Sequence, residues 1–599
     1  MKHFESDQAE HRNTIFRTSF DRRTFLGAGL GFIAAAAGKT IFPAPALAQT
    51  NQQYKSNANS RLDPHSLFTE IRERLLNNQE IAFLDVREEV PHAQGHPLFA
   101  ASMPLSRIEL DAYTVLPRKE VPVVVIDGGE GYAARAMDKL KEIGYKNVRV
   151  FAGGTSAWAS AGGQLFRDIN VPSKSFGELV HSRKHTPELT PADVEKLAQK
   201  RNVVVLDVRR PDEYETFSIP GAKSVPGGDV VLQFPGLVPN DSVQVVVNCA
   251  GRTRGLLWSQ SLINAGVKNP VAALRNGTIG WTLAGLPLAR EQKSTACGKA
   301  CKSHFKPAVS ARNLANRAHV KRATWQDVQK WQSQSDKTSY FFDVRSHQEY
   351  LKAHLPGWRN APSGEVVQEL MMYAPVRGAR IVLVDDDGVR ANMAASWLAQ
   401  MNCDVWVLDQ PPAFTASGEW PSQKPQEPAV TYITAAELQD LLQASSGANG
   451  NLNDVAVIDF SRHSLYATAH IPGAWFALRS DLRDAIAKIP KAKRYVITDR
   501  NGQFAAYVAP ELAQLVTQPV DVLKGGNSAW DRAGYAFEKG TGKLASPAID
   551  RFERPYENPD SDNDVTFDPA KIKAYISWLA GSNLMKQLSE DGTSGFWVL

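Results

Sequence analysis

The sequence predicts an α/β protein of four tandem domains, each a parallel sheet flanked by helices, followed by a C-terminal helical tail. Two observations carry this. Four apolar, strand-like segments end in Asp-Val-Arg or a near copy of it: 83-FLDVR-87, 205-VLDVR-209, 341-FFDVR-345 and 457-VIDFS-461. They recur at roughly 115–135 residues, which is the length of a domain and too long for a solenoid repeat. Between them, apolar runs alternate with helical stretches, the pattern of a parallel sheet covered on both faces.

Composition agrees with several independent cores. A chain of 599 residues has room for three to six domains at about 100–200 residues each. Its 43% hydrophobic content is ordinary for globular protein. The net charge of +5 includes +2 from the first 48 residues, where six Lys/Arg meet four Asp/Glu. The remaining excess is too small over such a length to argue for nucleic acid or an anionic membrane. Four cysteines exclude a disulfide scaffold.

The elements follow in order. In residues 1–48, Arg22 and Arg23 precede a Gly/Ala-rich run (27–38) and the tripeptide Ala46-Leu47-Ala48. This resembles a twin-arginine export signal with an A-x-A cleavage site, although Asp21 stands where Ser or Thr is usual. The apolar run is short for a membrane span and Lys39 follows it. A periplasmic protein with no stable membrane span after signal removal is therefore expected.

The four domains are placed at 62–170, 189–292, 322–422 and 430–540. Three of them continue from Asp-Val-Arg to a shared phrase, 218-SIPGA-222, 354-HLPGW-358 and 470-HIPGA-474, while the first reads 95-GHPLF-99. Each then has a second apolar strand running into a loop: 123-VVVIDGGEGYA-133, 245-VVVNCAGRTRG-255, 381-IVLVDDDGVRA-391 and 495-YVITDRNGQFA-505. Each closes on a Gly- or Trp-containing phrase: 153-GGTSAW-158, 277-GTIGW-281, 414-FTASGEW-420 and 525-GGNSAW-530. Met393, Trp397 and Met401, spaced by four on a helix, read as core contacts. Residues 541–599 hold a Pro-rich acidic linker, then Asp568-Pro569 as N-cap and N1, with Ile572, Tyr575, Ile576 and Leu579 on one helical face. That face is expected to pack on one of the domains.

Aligned on their strands, the four loops carry Asp127, Cys249, Asp385 and Asp499 at one position. A cysteine at a strand-to-helix turn lies among backbone N–H groups and at the positive end of a helix dipole. With Arg252 and Arg254 beside it, Cys249 is expected to favour the thiolate, the nucleophilic form. An aspartate at this position can accept the same N–H groups, but it cannot carry a sulfane sulfur.

Together these phrases, in fixed order and in four copies from about residue 62 to 540, resemble the rhodanese sulfurtransferase family. The resemblance implies that Cys249 takes the outer sulfur of a donor such as thiosulfate, holds it as a persulfide and passes it to cyanide or a thiol. It implies donor binding by the loop Ala250, Gly251, Arg252, Thr253, Arg254 and Gly255. Asp207 and Arg209 would support the loop from beneath, with Glu213 and Ser218 flanking the mouth. Domains one, three and four would be inactive scaffolds. The six residues from Cys249 to Arg254 are one fewer than the related dual-specificity phosphatases use, which favours sulfur over phosphate transfer.

The implied partners are a small-molecule sulfur donor and acceptor, with a protein sulfur acceptor as a further expectation. No cofactor is implied. Cys297 and Cys301, spaced as i and i+4, read as a local disulfide or a redox pair. With His304 they lack an evident fourth ligand for a metal site, so none is expected. Cys403 reads as a buried core thiol. Two readings of other classes stay open, a sulfane-sulfur carrier serving one partner and a redox sensor centred on Cys249.

Overall fold

The computed structural model describes residues 64–200, 202–293, 305–421, 423–446, 454–554 and 568–599. The signal-like segment, Cys297 and Cys301 lie outside these residues.

In the second domain the strands run Glu188–Leu189, Val271–Leu274, Gln244–Asn248, Val203–Asp207 and Lys223–Ser224 across the sheet, each parallel to its neighbour. The third and fourth domains repeat this order around Arg380–Val384 and Arg494–Thr498. The strand that ends in the loop is central in each, so its Val and Ile side chains are enclosed on both faces. Val245, Val246 and Val247 are fully buried. That explains why these strands are continuous apolar runs and do not alternate.

The first sheet departs from the pattern. Ile81–Asp85, Val123–Ile126 and Val148–Val150 are parallel, and Ala101–Ser102 pairs parallel with Leu84 and Asp85 on the other edge of Ile81–Asp85. Val376–Arg377 of the third domain, however, adds antiparallel to the start of that same edge, pairing Ile81 with Arg377 and Ala82 with Val376. The third domain also differs from its sisters at its end. Residues 409–420 form no helix, whereas Gly154–Ser160, Gly277–Leu283 and Gly526–Arg532 do.

Two helices join neighbouring domains. Val171–Lys184 leads from the first to the second and packs on the loop helix Thr253–Ala265. Pro307–Arg317 leads into the third and packs on Arg390–Gln400. One apolar core runs through the first three domains, from Leu84 and Val123 through Val245 and Trp258 to Trp397 and Leu398. Met393 and Met401 lie in it with Trp397, all three buried. The fourth domain keeps cores of its own around Ile497 and Val496.

In the tail, Asp568 Oδ1 accepts from the N–H groups of Ala570 (2.9 Å) and Lys571 (3.2 Å), and Pro569 opens the helix Pro569–Leu579. A second helix, Ser582–Asp591, follows where one was expected. The chain turns between them at Gly581, where a methyl group would lie 2.3 Å from the Ser577 carbonyl oxygen. Leu579, Leu584 and Leu588 pack against Phe83, Trp158 and their neighbours in the first domain. No helix among the described residues is long and apolar enough to cross a membrane.

Candidate active site

Cys249 is the first residue beyond the central strand of the second sheet, at the carboxyl end, where open α/β sheets place their ligands. The chain turns over Ala250 to Arg252 and enters the helix Thr253–Ala265. The backbone N–H groups of Gly251 and Gly255 both face the Cys249 sulfur.

The turn is held from below by the closing phrase of the domain. Cys249 O accepts from Thr278 N (2.8 Å) and Thr278 Oγ1 (3.1 Å), and Ala250 O accepts from Ile279 N (3.0 Å). Gly277 makes this approach possible. Its φ is +54°, and a methyl group there would lie 2.3 Å from Cys249 O. Gly154 and Gly526 stand in the same way 2.5 Å and 2.2 Å from the carbonyls of Asp127 and Asp499.

Asp207 and Arg209 form the layer beneath. Arg209 donates from Nε to Asp207 Oδ1 (2.9 Å) and from Nη2 to Oδ2 (2.8 Å), then reaches Phe217 O at 2.6 Å. Asn248 Nδ2 donates to Asp207 Oδ2 (2.9 Å) and also lies 3.0 Å from Thr278 Oγ1. These groups are buried and touch each other, away from the loop's outer face.

The two loop arginines separate. Arg254 donates from Nη1 and Nη2 to Glu213 at 2.7 and 2.9 Å. Burial raises the Glu213 carboxyl, but the charges of Arg254, Arg210 and Arg209 outweigh it and hold the group well below the usual range. The third domain repeats this pair as Arg390 with Glu349 (2.6 Å), around an aspartate, so the pair sets the loop whichever residue fills it. Arg252, expected to bind the donor, is turned the other way. Its Nε donates to Glu178 (2.7 Å) and its Nη1 to Glu188 (2.6 Å), so it faces the linker helix and an edge strand. Thr253 turns the same way, its Cγ2 2.7 Å from where a Gly177 methyl would be. Ala250 is buried. Ser218, expected at the mouth, is also fully buried, bonded through its backbone to Ala289.

The expected preference for the thiolate meets an opposing effect. Burial pushes the Cys249 thiol above its ordinary value, and the Arg254 charge with the N–H groups of Gly255 and Gly251 only partly offsets this. Cys249 is 2% exposed.

In the sister loops the carboxylates take the N–H group six residues on and, as Cys249 does, the one two residues on, except that Asp385 takes the one three residues on. Asp127 accepts from Gly129 (3.0 Å) and Ala133 (2.9 Å), Asp385 from Gly388 (3.0 Å) and Ala391 (2.8 Å), and Asp499 from Asn501 (3.4 Å) and Ala505 (3.2 Å). Burial raises Asp385 to about 7, with Asp387 adding to it, and raises Asp499 to about 6. All four loops are thus one backbone seat, filled by a thiol once and by a carboxylate three times.

Some contributors were not read from the sequence. Glu178 and Glu188 anchor Arg252 from segments without any recurring phrase. Tyr575, noted only as part of a helical face, borders the loop: its Cε1 lies 4.0 Å from where a Gly251 methyl would be. Cys403 packs against the main core but is only half-buried, with Arg377 Nη1 donating to its sulfur at 3.4 Å.

Comparison with known proteins agrees with this geometry. The model of the rhodanese-like domain matches four times, at residues 68–161, 190–284, 324–410 and 434–533. The crystal structure of a thiosulfate sulfurtransferase from Pseudomonas aeruginosa is 47% identical, with a TM-score of 0.84 over 89% of this chain and 99% of that one. SseB of Mycobacterium tuberculosis, which carries a thiosulfate sulfurtransferase name, is 28% identical over 148 residues, 23% of this chain and 52% of SseB. The chain thus spans about half the length of the curated relatives it matches.

Proposed function

Because the chain belongs to the rhodanese-like family, with four such domains, we propose that it is a sulfurtransferase working through a persulfide on Cys249. One observation supports this above the rest: of four matching backbone seats, one holds a thiol. The Cys249 thiolate attacks the outer sulfur of a donor such as thiosulfate. The S–S bond of the donor breaks, its electron pair leaves with sulfite, and Cys249 keeps the sulfur as a persulfide. Cyanide or a thiolate then attacks that sulfur, the pair returns to Cys249, and thiocyanate or a new persulfide departs.

The seat suits this sequence of anions. Donor, persulfide and leaving group are all negative, and the N–H groups of Gly251 and Gly255 are fixed before the reaction begins. Arg254 brings a positive charge close enough to favour the thiolate. Thiosulfate is the proposed donor because the structural relative of 47% identity bears its name.

Incubation with thiosulfate should add one sulfur atom to the intact mass, and cyanide should then give steady release of sulfite and thiocyanate. Cys249→Ser should abolish both. Turnover by that variant would overturn the assignment, and loading of the wild type without turnover would favour a carrier. Export belongs to the same proposal and rests on residues 1–48. Cell fractionation with and without Arg22→Lys/Arg23→Lys tests it, and a cytoplasmic protein in both cases would refute it.

A further inference from the structure

Three chain segments meet around the Cys249 loop, and one comes from the far end of the protein. Ile279, from the second domain itself, lies 3.7 Å from where a Gly251 methyl would be. The linker helix Val171–Lys184 presses on the loop through Gly177 and Thr253. The third segment is the tail helix Pro569–Leu579, whose Tyr575 ring stands 4.0 Å from that same Gly251 position. Gly251 supplies one of the two N–H groups facing the sulfur, so the ring stands beside the reacting atom's own seat.

The tail that carries the ring is held in place from several sides. Lys174 of the linker helix lies 5.8 Å from the ring centroid and is ion-paired to Asp168. The helix that carries the ring is buried through Ile572 and Leu579. Beyond it, Gln587 Nε2 donates to Leu165 O (2.8 Å), and Arg72 Nη2 donates to Asp591 O (2.7 Å), fixing the tail to the first domain. The chain end is fixed to the third domain by Trp597 N on Gln400 O (3.0 Å) and Leu599 N on Gln400 Oε1 (2.8 Å).

We propose that Tyr575 is a specificity-determining residue of the Cys249 site, its ring restricting the sulfur acceptor to small anions such as cyanide and disfavouring thiols the size of glutathione. This rests on the sulfurtransferase reading above. The acceptor must approach the outer sulfur of the Cys249 persulfide, whose parent thiol is 2% exposed. A rigid ring beside Gly251 narrows that approach. The bond changes are the same for either acceptor, so only access distinguishes them.

The test uses the full chain with Tyr575→Ala, Tyr575→Leu and Tyr575→Phe. Sulfur loading from thiosulfate is followed by mass, and kcat/KM is measured with cyanide and with glutathione. In Tyr575→Ala the glutathione-to-cyanide ratio of kcat/KM should rise on the order of tenfold, the scale on which pocket size discriminates substrates. Tyr575→Leu should fall between, and it carries the test if the alanine variant does not fold. Tyr575→Phe should match the wild type, because the ring and not the hydroxyl is the wall. An unchanged ratio in the alanine and leucine variants with normal loading would overturn the proposal, and so would an equal shift in Tyr575→Phe. Failure of the wild type to load would instead refute the sulfurtransferase reading.

Discussion

Cys249 and Asp499 occupy seats of the same geometry, each facing N–H groups two and six residues further along the chain. Replacing the thiol by a carboxylate should therefore leave the turn intact. Cys249→Asp is expected to melt within a few degrees of the wild type while losing all sulfur transfer, as calorimetry and thiocyanate assays would reveal. The native thiol has a second measurable property. Burial raises its pKa, so the thiolate fraction is small near neutrality and grows with pH. Alkylation by iodoacetamide should accelerate through the alkaline range beyond the ordinary thiol value, and a plateau near pH 7 would contradict this. The position of Cys249 was legible because four loops could be aligned on their strands. Its protonation was not, because burial depends on the linker helix and tail that enclose the loop.

At the scale of elements, the linker helix Val171–Lys184 decides what Arg252 does. It is buried on all sides from Val171 to Glu178 and again at Val180, and only its last turn is exposed. Wedged between domains, with Ser173, Lys174, Ser175 and Glu178 buried among its apolar residues, it left no 3.6-residue signature to read. Without it, Arg252 looked like a donor ligand. With it, the guanidinium closes a buried bridge to Glu178 and Glu188. Arg252→Met would leave Glu178 buried without its cation and Glu188 with only His181, costing about 3 kcal/mol of stability. The variant should unfold earlier in urea while its KM for thiosulfate stays within about twofold, since no substrate contact is lost. A tenfold rise in KM at unchanged stability would restore Arg252 to the donor site. The parallel strands themselves were legible, because central burial makes them continuous apolar runs. The antiparallel addition of Val376–Arg377 was not, since two residues carry no periodicity.

The whole molecule is built from two kinds of contact. The first three domains share an apolar core, and Trp397 Nε1 donates to Ser261 Oγ (2.8 Å) between the third and second. The fourth domain meets the first through charge: Arg479 binds Glu109 (2.7 Å) and Glu511 (2.5 Å), and Lys139 reaches both. Within this contact Glu88 of the first domain accepts from Ser480 Oγ (2.7 Å), and burial raises its pKa to about 7. Because the folded-state value is raised, the stability it contributes is full below the ordinary carboxylate range and is lost as pH rises through about 7. The loss is of order 3 kcal/mol. Glu88→Gln should flatten the stability profile between pH 5 and 8, measured by denaturant midpoints, and an unchanged slope would refute the role. Domain number was legible from the repeat. The unequal joining of the domains was not, because the partners of Arg479 and Trp397 are distant in sequence.

The strand Val376–Arg377 also has a meaning in time. It leaves the ribosome nearly three hundred residues after Ile81–Asp85, the strand whose edge it covers. Ala101–Ser102 of the first domain itself pairs with Leu84 and Asp85 on that edge, so until then only the Ile81 end keeps bare N–H and C=O groups, the kind of surface on which chains pair wrongly. The last ladder bonds of the first sheet are thus supplied by the third domain.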